Sequence, residues 1–100
     1  MEETKLSGKS KHRDTTEYKS LMNRLNRIEG QVRGIKKMVE TDVYCTDILT
    51  QVSAIQSALN AFNKELLTNH IKTCVVKDIK NGKEEKTIDE LMVTLKKLMK

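Results

Sequence analysis

The feature that most restricts the fold is an uninterrupted apolar stripe in the second half of the chain. Between Cys45 and Lys80 no proline or glycine breaks a pattern that recurs every three or four residues, which is typical of one face of an α-helix. The pattern predicts a single helix of about 35 residues, about 50 Å long, with a stop signal at Asn81-Gly82. Its stripe consists of Cys45, Leu49, Val52, Gln56, Leu59, Asn63, Leu66, His70 and Cys74.

Two shorter amphipathic patterns flank this long helix and complete an all-α prediction, because no segment shows the alternation of a strand. The first helix is predicted from about residue 20 to near Thr41, and the third follows Gly82. Residues 1–19 are polar and rich in lysine, so they predict a flexible basic N-terminal tail and leave residues 20–100 as one domain. The apolar positions are Leu21, Leu25, Ile28, Val32, Ile35 and Val39 in the first helix and Ile88, Leu91, Met92, Leu95, Leu98 and Met99 in the third.

The length of the central helix predicts self-association. The chain has 100 residues, of which 37% are hydrophobic, and two shorter helices cannot cover the whole stripe of a longer one. The uncovered part has to meet another subunit, and a repeat of about 3.5 residues is the pattern of helices packed side by side. The simplest interpretation is a helical dimer that binds no ligand.

Three metal-ligating side chains lie on this stripe. His70 and Cys74 are four residues apart, one turn of one helical face. Cys45 falls within about 20° of the same direction but lies about 37 Å from His70 along the axis. If the long helices of two subunits pack head to tail at about 8–10 Å, Cys45 of one faces His70 and Cys74 of the other. The sequence therefore predicts two equivalent sites per dimer.

The chemistry of these three side chains narrows the ligand. Two thiolates and one imidazole form a soft, low-coordinate set that suits Cu(I), and suits Zn(II) less well because zinc usually takes four ligands. A rival interpretation is a redox switch in which Cys45 and Cys74 of two subunits form a disulfide, although it leaves His70 without a role. A third is a copper or zinc buffer without a DNA function. No catalytic constellation is visible, so the chain is not predicted to be an enzyme.

The charge of the chain points to nucleic acid as a partner. The net charge is +5, and residues 20–39 carry five cations against Glu29 alone. Such residues bind DNA phosphates through salt-dependent contacts with little sequence preference, although a solvated basic face is the simpler interpretation. No helix-turn-helix is visible. The candidate DNA-binding residues are Arg24, Arg27, Arg33, Lys36 and Lys37, to which the tail adds Lys5, Lys9, Lys11, Arg13 and Lys19.

Cellular location is predicted from what the sequence lacks. No stretch is apolar for long enough to cross a bilayer, and the charged first residues do not resemble a signal peptide. We therefore expect a cytoplasmic protein without a membrane partner, in which both cysteines are thiols.

Three segments carry a resemblance to a known family: RLNRIEGQVRGI from Arg24 to Ile35, VYCTDIL from Val43 to Leu49, and NHIKTC from Asn69 to Cys74. They resemble the CsoR/RcnR family of bacterial metal-sensing repressors. The resemblance implies a three-helix subunit, an antiparallel dimer and a dimer-of-dimers homotetramer. It also implies a repressor that binds operator DNA when metal-free and releases the DNA when it has bound metal. The regulated genes would serve copper efflux and copper chaperone functions, and a copper chaperone is a possible partner of the protein.

Within the family, the ligand set divides the branches. A Cys, His, Cys set is typical of the copper-responsive members and is matched here by Cys45, His70 and Cys74. Nickel and cobalt sensors have a histidine where Cys74 stands, and persulfide sensors have a cysteine where His70 stands. His12 lies near the position of an N-terminal ligand, and we interpret it as solvated. Tyr44 and Glu90 resemble the family residues that hydrogen-bond to the ligand histidine.

Overall fold

The computed structural model describes residues 11–98, which form helices and turns without a strand. Three of its elements follow one another directly and form one continuous helix from residue 45 to residue 80, called the long helix below. The all-α prediction with a long central helix is confirmed, and the longest dimension, 56 Å, agrees with the expected length. The elements are α1 (Thr15–Glu40), α2 (Cys45–His70), a π-helical segment (Ile71–Val75), α3 (Val76–Lys80) and α4 (Glu84–Leu98).

α1 begins earlier than the apolar pattern suggests. Asp14 caps the helix, because its Oδ1 accepts a hydrogen bond of 2.7 Å from the backbone N–H of Glu17, one of the donors that a helix start otherwise leaves without a partner. The predicted tail boundary at residue 20 therefore falls inside α1. The described residues do not include residues 1–10, which contain Lys5 and Lys9, or residues 99–100, which contain Met99.

α1 and α2 form an antiparallel hairpin. Leu21, Ile28 and Ile55 are buried between the two helices, and at the open end the hydroxyl of Ser20 donates to Glu65 Oε1 at 2.6 Å. At the closed end the chain reverses through Asp42, whose φ of 55° lies in the left-handed region that side chains other than glycine rarely adopt. The hairpin covers only the face of α2 that points toward α1.

The long helix changes its winding at residues 71–75. There the N–H of Val76 donates to the carbonyl of Ile71, five residues back, which corrects the prediction of a uniform α-helix. This part of the chain is rich in β-branched residues, which disfavour tight α-helical winding. In addition, the hydroxyl of Thr73 donates to the carbonyl of Asn69 at 2.7 Å and competes for that acceptor. The predicted stop signal is confirmed, since Asn81 caps α3 and Gly82 has a φ of 77°.

α4 folds back along the end of the long helix. Thr87 is buried, and Leu91 and Leu95 are half-buried. Ile88 and Met92, which belong to the predicted apolar face of this helix, remain about half exposed. The apolar face of α4 is therefore only partly covered within one chain.

The core of a single chain is small. Its buried apolar residues within the described part are Leu21, Ile28, Ile55 and Val75. Large apolar side chains are exposed on α1, on the long helix and on α4. These surfaces are consistent with the predicted self-association of the chain. They include Tyr18, Met22, Leu25, Val32, Val39, Leu49, Leu59, Ile88, Met92 and Val93. Among residues 11–98, no helix combines the length and the apolar character that crossing a bilayer requires.

Candidate metal centre

Two of the three predicted ligands share one groove. His70 is the last residue of α2 and Cys74 lies in the π segment, and both line an open groove of about 1490 Å³ between the long helix and α4. His70 is exposed and Cys74 is half-buried. The hydroxyl oxygen of Thr73 lies 3.6 Å from Cys74 Sγ. Both candidate ligands therefore still line the same groove despite the change of winding between them.

Cys45 lies at the opposite end of α2. It is the exposed first residue of that helix and a free thiol, as Cys74 is. The 25 residues from Cys45 to His70 correspond to about 37 Å of α-helix. Accordingly, the described part of one chain contains no group of three His, Cys, Asp or Glu side chains that could hold a metal ion. A single chain brings two of the predicted ligands together and leaves the third elsewhere.

The face that connects these residues is only partly covered within one chain, since Val52, Asn63 and Leu66 are half-buried. Ile55 points toward α1 and is buried, whereas Leu49 and Leu59, on the stripe between Cys45 and His70, are 64% and 41% exposed. The two faces differ because the helical stripe is wider than one neighbouring helix can cover. An apolar seam therefore runs along the outside of α2 with a thiol at one end and an imidazole at the other.

The two residues predicted to support the ligand histidine lie at different ends. Glu90 lines the groove beside His70 and Cys74. Tyr44 immediately precedes Cys45, where it occupies the N-cap position of α2 and is 72% exposed without a capping hydrogen bond from its side chain. Within one chain, Tyr44 is thus as far from His70 as Cys45 is.

The groove also contains residues that the sequence did not assign to it. Lys11 and Arg13 line it, and both approach Glu17, at 3.2 Å from Nζ and 3.6 Å from Nε respectively. The sequence had predicted that these two cations bind DNA. The i,i+4 spacing of Arg13 and Glu17 was the signal available for the ion pair.

The basic residues of α1 do not all stand in the same environment. The side chain of Arg24 is 41% exposed, and its Nε lies 3.5 Å from Glu65 Oε1 on α2. The other four are exposed to solvent along α1. Arg24 therefore takes part in the contact between the two helices, whereas the other four cations, Arg27, Arg33, Lys36 and Lys37, are exposed and accessible to a partner.

The sequence is similar to those of known metal-sensing repressors. Residues 17–97 match the model of a family described as metal-sensitive transcriptional repressors. The chain is 48% identical over 89 residues to the copper-sensing transcriptional repressor CsoR of Bacillus subtilis, with 89% of this chain and 88% of that protein covered. It is 45% identical over 71 residues to the copper-sensing repressor RicR of Mycobacterium tuberculosis, with 71% and 74% covered.

Solved structures show the same architecture. The Cu(I)-bound copper-sensing repressor CsoR of Geobacillus thermodenitrificans superposes with a TM-score of 0.87 at 47% identity, with 95% of this chain and 99% of that chain covered. The nickel-responsive regulator InrS superposes with a TM-score of 0.71 at 32% identity, with 88% and 96% covered. Relatives that respond to different metals thus share this helical arrangement.

Proposed function

Because the chain belongs to the family of metal-sensitive transcriptional repressors, the CsoR/RcnR family, we propose that it is a copper(I)-sensing repressor. In this proposal it binds operator DNA when metal-free and releases it when Cu(I) is bound, which derepresses copper-resistance genes. One observation carries the proposal. His70 and Cys74 share a groove at one end of a partly uncovered apolar seam that has Cys45 at its other end.

The proposed ligands come from two subunits. When two α2 helices pack head to tail along the seam, Cys45 of one subunit approaches His70 and Cys74 of the other. Twofold symmetry then gives two sites per dimer. Burial of Leu49 and Leu59 in this seam supplies the apolar area that the small core of one chain lacks.

The donor set fits Cu(I). Two thiolates and an imidazole match a soft monovalent ion that accepts low coordination. A structural zinc site would need a fourth ligand. The similarity to proteins named as copper-sensing at up to 48% identity supports the same choice. When bound, the ion supplies a link between thiolates of two subunits.

Tyr44 and Glu90 are proposed to orient the ligand histidine. Glu90 already lines the groove of its own chain, and Tyr44 would arrive from the partner subunit together with the adjacent Cys45. Hydrogen bonds to the second imidazole nitrogen fix the orientation of such a ligand. Because Glu90 lies on α4, the occupancy of the site is transmitted to that helix. A coupling of about 1–3 kcal/mol between the sites for metal and DNA is typical of such proteins.

DNA is proposed to bind along the basic surface of α1. The exposed cations Arg27, Arg33, Lys36 and Lys37 and the half-exposed Arg24 would contact phosphates, so binding should weaken steeply with salt. Exposed apolar residues on α1 and α4 support a homotetramer formed by two dimers. We further propose that the protein is cytoplasmic and that a copper chaperone is among its partners.

An anaerobic titration tests the proposal. Cu(I) is added to the metal-free protein bound to its promoter DNA while metal uptake and DNA release are both recorded. We expect one Cu(I) per subunit and release over the same range. Cys45→Ala should bind DNA as before and lose the release, whereas Thr46→Ala, an exposed neighbour, should behave like the wild type. Release by copper from Cys45→Ala would contradict the assignment, and failure to bind any promoter duplex at low salt would favour a metal buffer.

A thiol-redox or persulfide-responsive repressor on the same scaffold is the second candidate. The observation in its favour is that both cysteines are free and Cys45 is exposed. It predicts release of DNA by a mild oxidant or a persulfide donor in the absence of metal. Release that requires Cu(I) and persists in the presence of a reductant would exclude it.

A further inference from the structure

The wall of the groove formed by α4 is attached to the long helix through a partly buried hydrogen bond. Thr87 is 5% exposed, and it is the polar residue that is buried in the described part of the chain. Its hydroxyl donates to Asp78 Oδ2 at 2.7 Å. A hydrogen bond from a hydroxyl to a carboxylate is stronger and more directional than a hydrogen bond between neutral groups.

Asp78 holds the connecting turn as well as the helix. Its backbone carbonyl accepts the N–H of Lys83 at 2.8 Å, and the carbonyl of Lys83 in turn accepts the N–H of Thr87 at 3.1 Å. The side chain and the main chain of Asp78 thus fix the same short segment. The direction in which α4 leaves the turn is therefore set from Asp78.

These two residues stand between the metal ligands and Glu90. Asp78 lies one helical turn after Cys74, and Thr87 lies close to one turn before Glu90. All of them except Thr87 line the groove. A displacement of the helix at Cys74 reaches Asp78 through a single turn, and the hydrogen bond to Thr87 carries it into α4.

Apolar packing is a weaker candidate for this link. Val75 of the long helix is buried, but on α4 Leu91 and Leu95 are only half-buried and Ile88 and Met92 are about half exposed. Loose apolar contacts allow one helix to slide on another, whereas a short hydrogen bond to a charged group fixes one relative position.

We propose that the hydrogen bond between Asp78 and Thr87 couples the metal site to α4, with Thr87 as a positioning residue that touches neither metal nor DNA. The inference rests on the proposed function, since it names the route by which occupancy of that site is transmitted. It assigns to Asp78 and Thr87 the role of keeping Glu90 in register with His70 and Cys74.

The test compares Thr87→Val, which keeps the shape of the side chain and removes the hydroxyl, with Thr87→Ser, which keeps the hydroxyl. For each variant, the affinity for promoter DNA is measured with and without Cu(I), and the ratio of the two is the coupling. We expect Thr87→Val to reduce this ratio about tenfold while DNA affinity without metal stays within about twofold. Thr87→Ser should retain the coupling. By linkage, the effect of DNA on Cu(I) affinity should fall by the same factor.

A double-mutant cycle on the metal-free protein provides an independent measurement. Thermal unfolding of Asp78→Ala, Thr87→Val and the double variant should be strongly non-additive if the two side chains act as one unit. If Thr87→Val does not fold, Asp78→Asn, which keeps an acceptor without the charge, should give an intermediate coupling. If the stability effects of the two substitutions are additive, or if Thr87→Val retains the wild-type coupling, the inference is wrong but the proposed function is not affected. A wild-type protein that does not respond to Cu(I) overturns the proposed function with it.

Discussion

The two ends of the long helix differ in what they pack against. From Cys45 to His70 the helix is regularly α-helical and lies along α1, with Ile55 buried in the contact. From Ile71 to Lys80 it includes a π segment and packs against the shorter α4 beside an open groove. The proposed ligands His70 and Cys74 lie where one region meets the other. The second region buries Val75, but its contact with α4 is smaller than the contact of the first region with α1. Because regions with less contact open at lower free energy, the second region can respond to a ligand while the first preserves the subunit.

The largest effect that separates the two regions is expected from truncation of the core. Ile55→Ala should lower the free energy of unfolding by about 2–5 kcal/mol, because the substitution removes buried aliphatic carbon atoms and leaves a cavity. Val76→Ala, beyond the π segment and exposed, should cost about 1 kcal/mol or less. Urea denaturation at one fixed protein concentration measures both. Equal costs at the two positions would show that the contact with α1 at Ile55 stabilises the subunit no more than an exposed position of the second region does.

Two glycines give effects of intermediate size and opposite sign. Gly82 has a φ of 77° in the turn before α4, where a side chain costs about 1–2 kcal/mol, so Gly82→Ala should destabilise the fold. Gly34 lies within α1 and a Cβ there would meet nothing within 4 Å, so Gly34→Ala should stabilise it by about 0.5–1 kcal/mol. Denaturation midpoints of the two variants check the signs. A common sign would show that backbone conformation does not decide these positions.

The smallest expected difference concerns local opening of the metal-free protein. Backbone amides of the π segment should exchange with deuterium about fivefold faster than those around Ile55 after correction for intrinsic rates, which corresponds to about 1 kcal/mol. Cu(I) should slow exchange in the π segment more than around Ile55. Uniform protection along the long helix would contradict the comparison.

The fold was largely predictable because its signals are local. Cys45 as the start of α2, Thr41 as the end of α1 and Asn81-Gly82 as the stop of the long helix were each readable from spacing or from turn residues. The start of α1 was placed late because Asp14 and Glu17 form a polar cap ahead of any apolar stripe. The π segment was missed because it changes the hydrogen-bond pattern without interrupting the apolar one.

The helical positions of the candidate ligands His70 and Cys74 were predictable from the sequence, whereas their surroundings were predictable only in part. Spacing alone placed His70 and Cys74 on one face, and the structure puts both in one groove. The ion pair of Arg24 with Glu65 and the bond of Asp78 with Thr87 join residues that are distant in sequence or on different helices. Such pairs depend on how the helices are rotated against each other, which a periodic pattern does not specify.

The sharing of the site between subunits is the central claim, and a mixed dimer tests it most directly. Cys45→Ala and Cys74→Ala chains carrying different tags are co-expressed, and heterodimers are purified through both tags. If each site joins Cys45 of one chain to His70 and Cys74 of the other, one site of the heterodimer is intact and the second lacks both thiols. Anaerobic titration should then find one tightly bound Cu(I) per heterodimer and none in either homodimer. Heterodimers that bind no Cu(I) more tightly than the two homodimers would contradict the account.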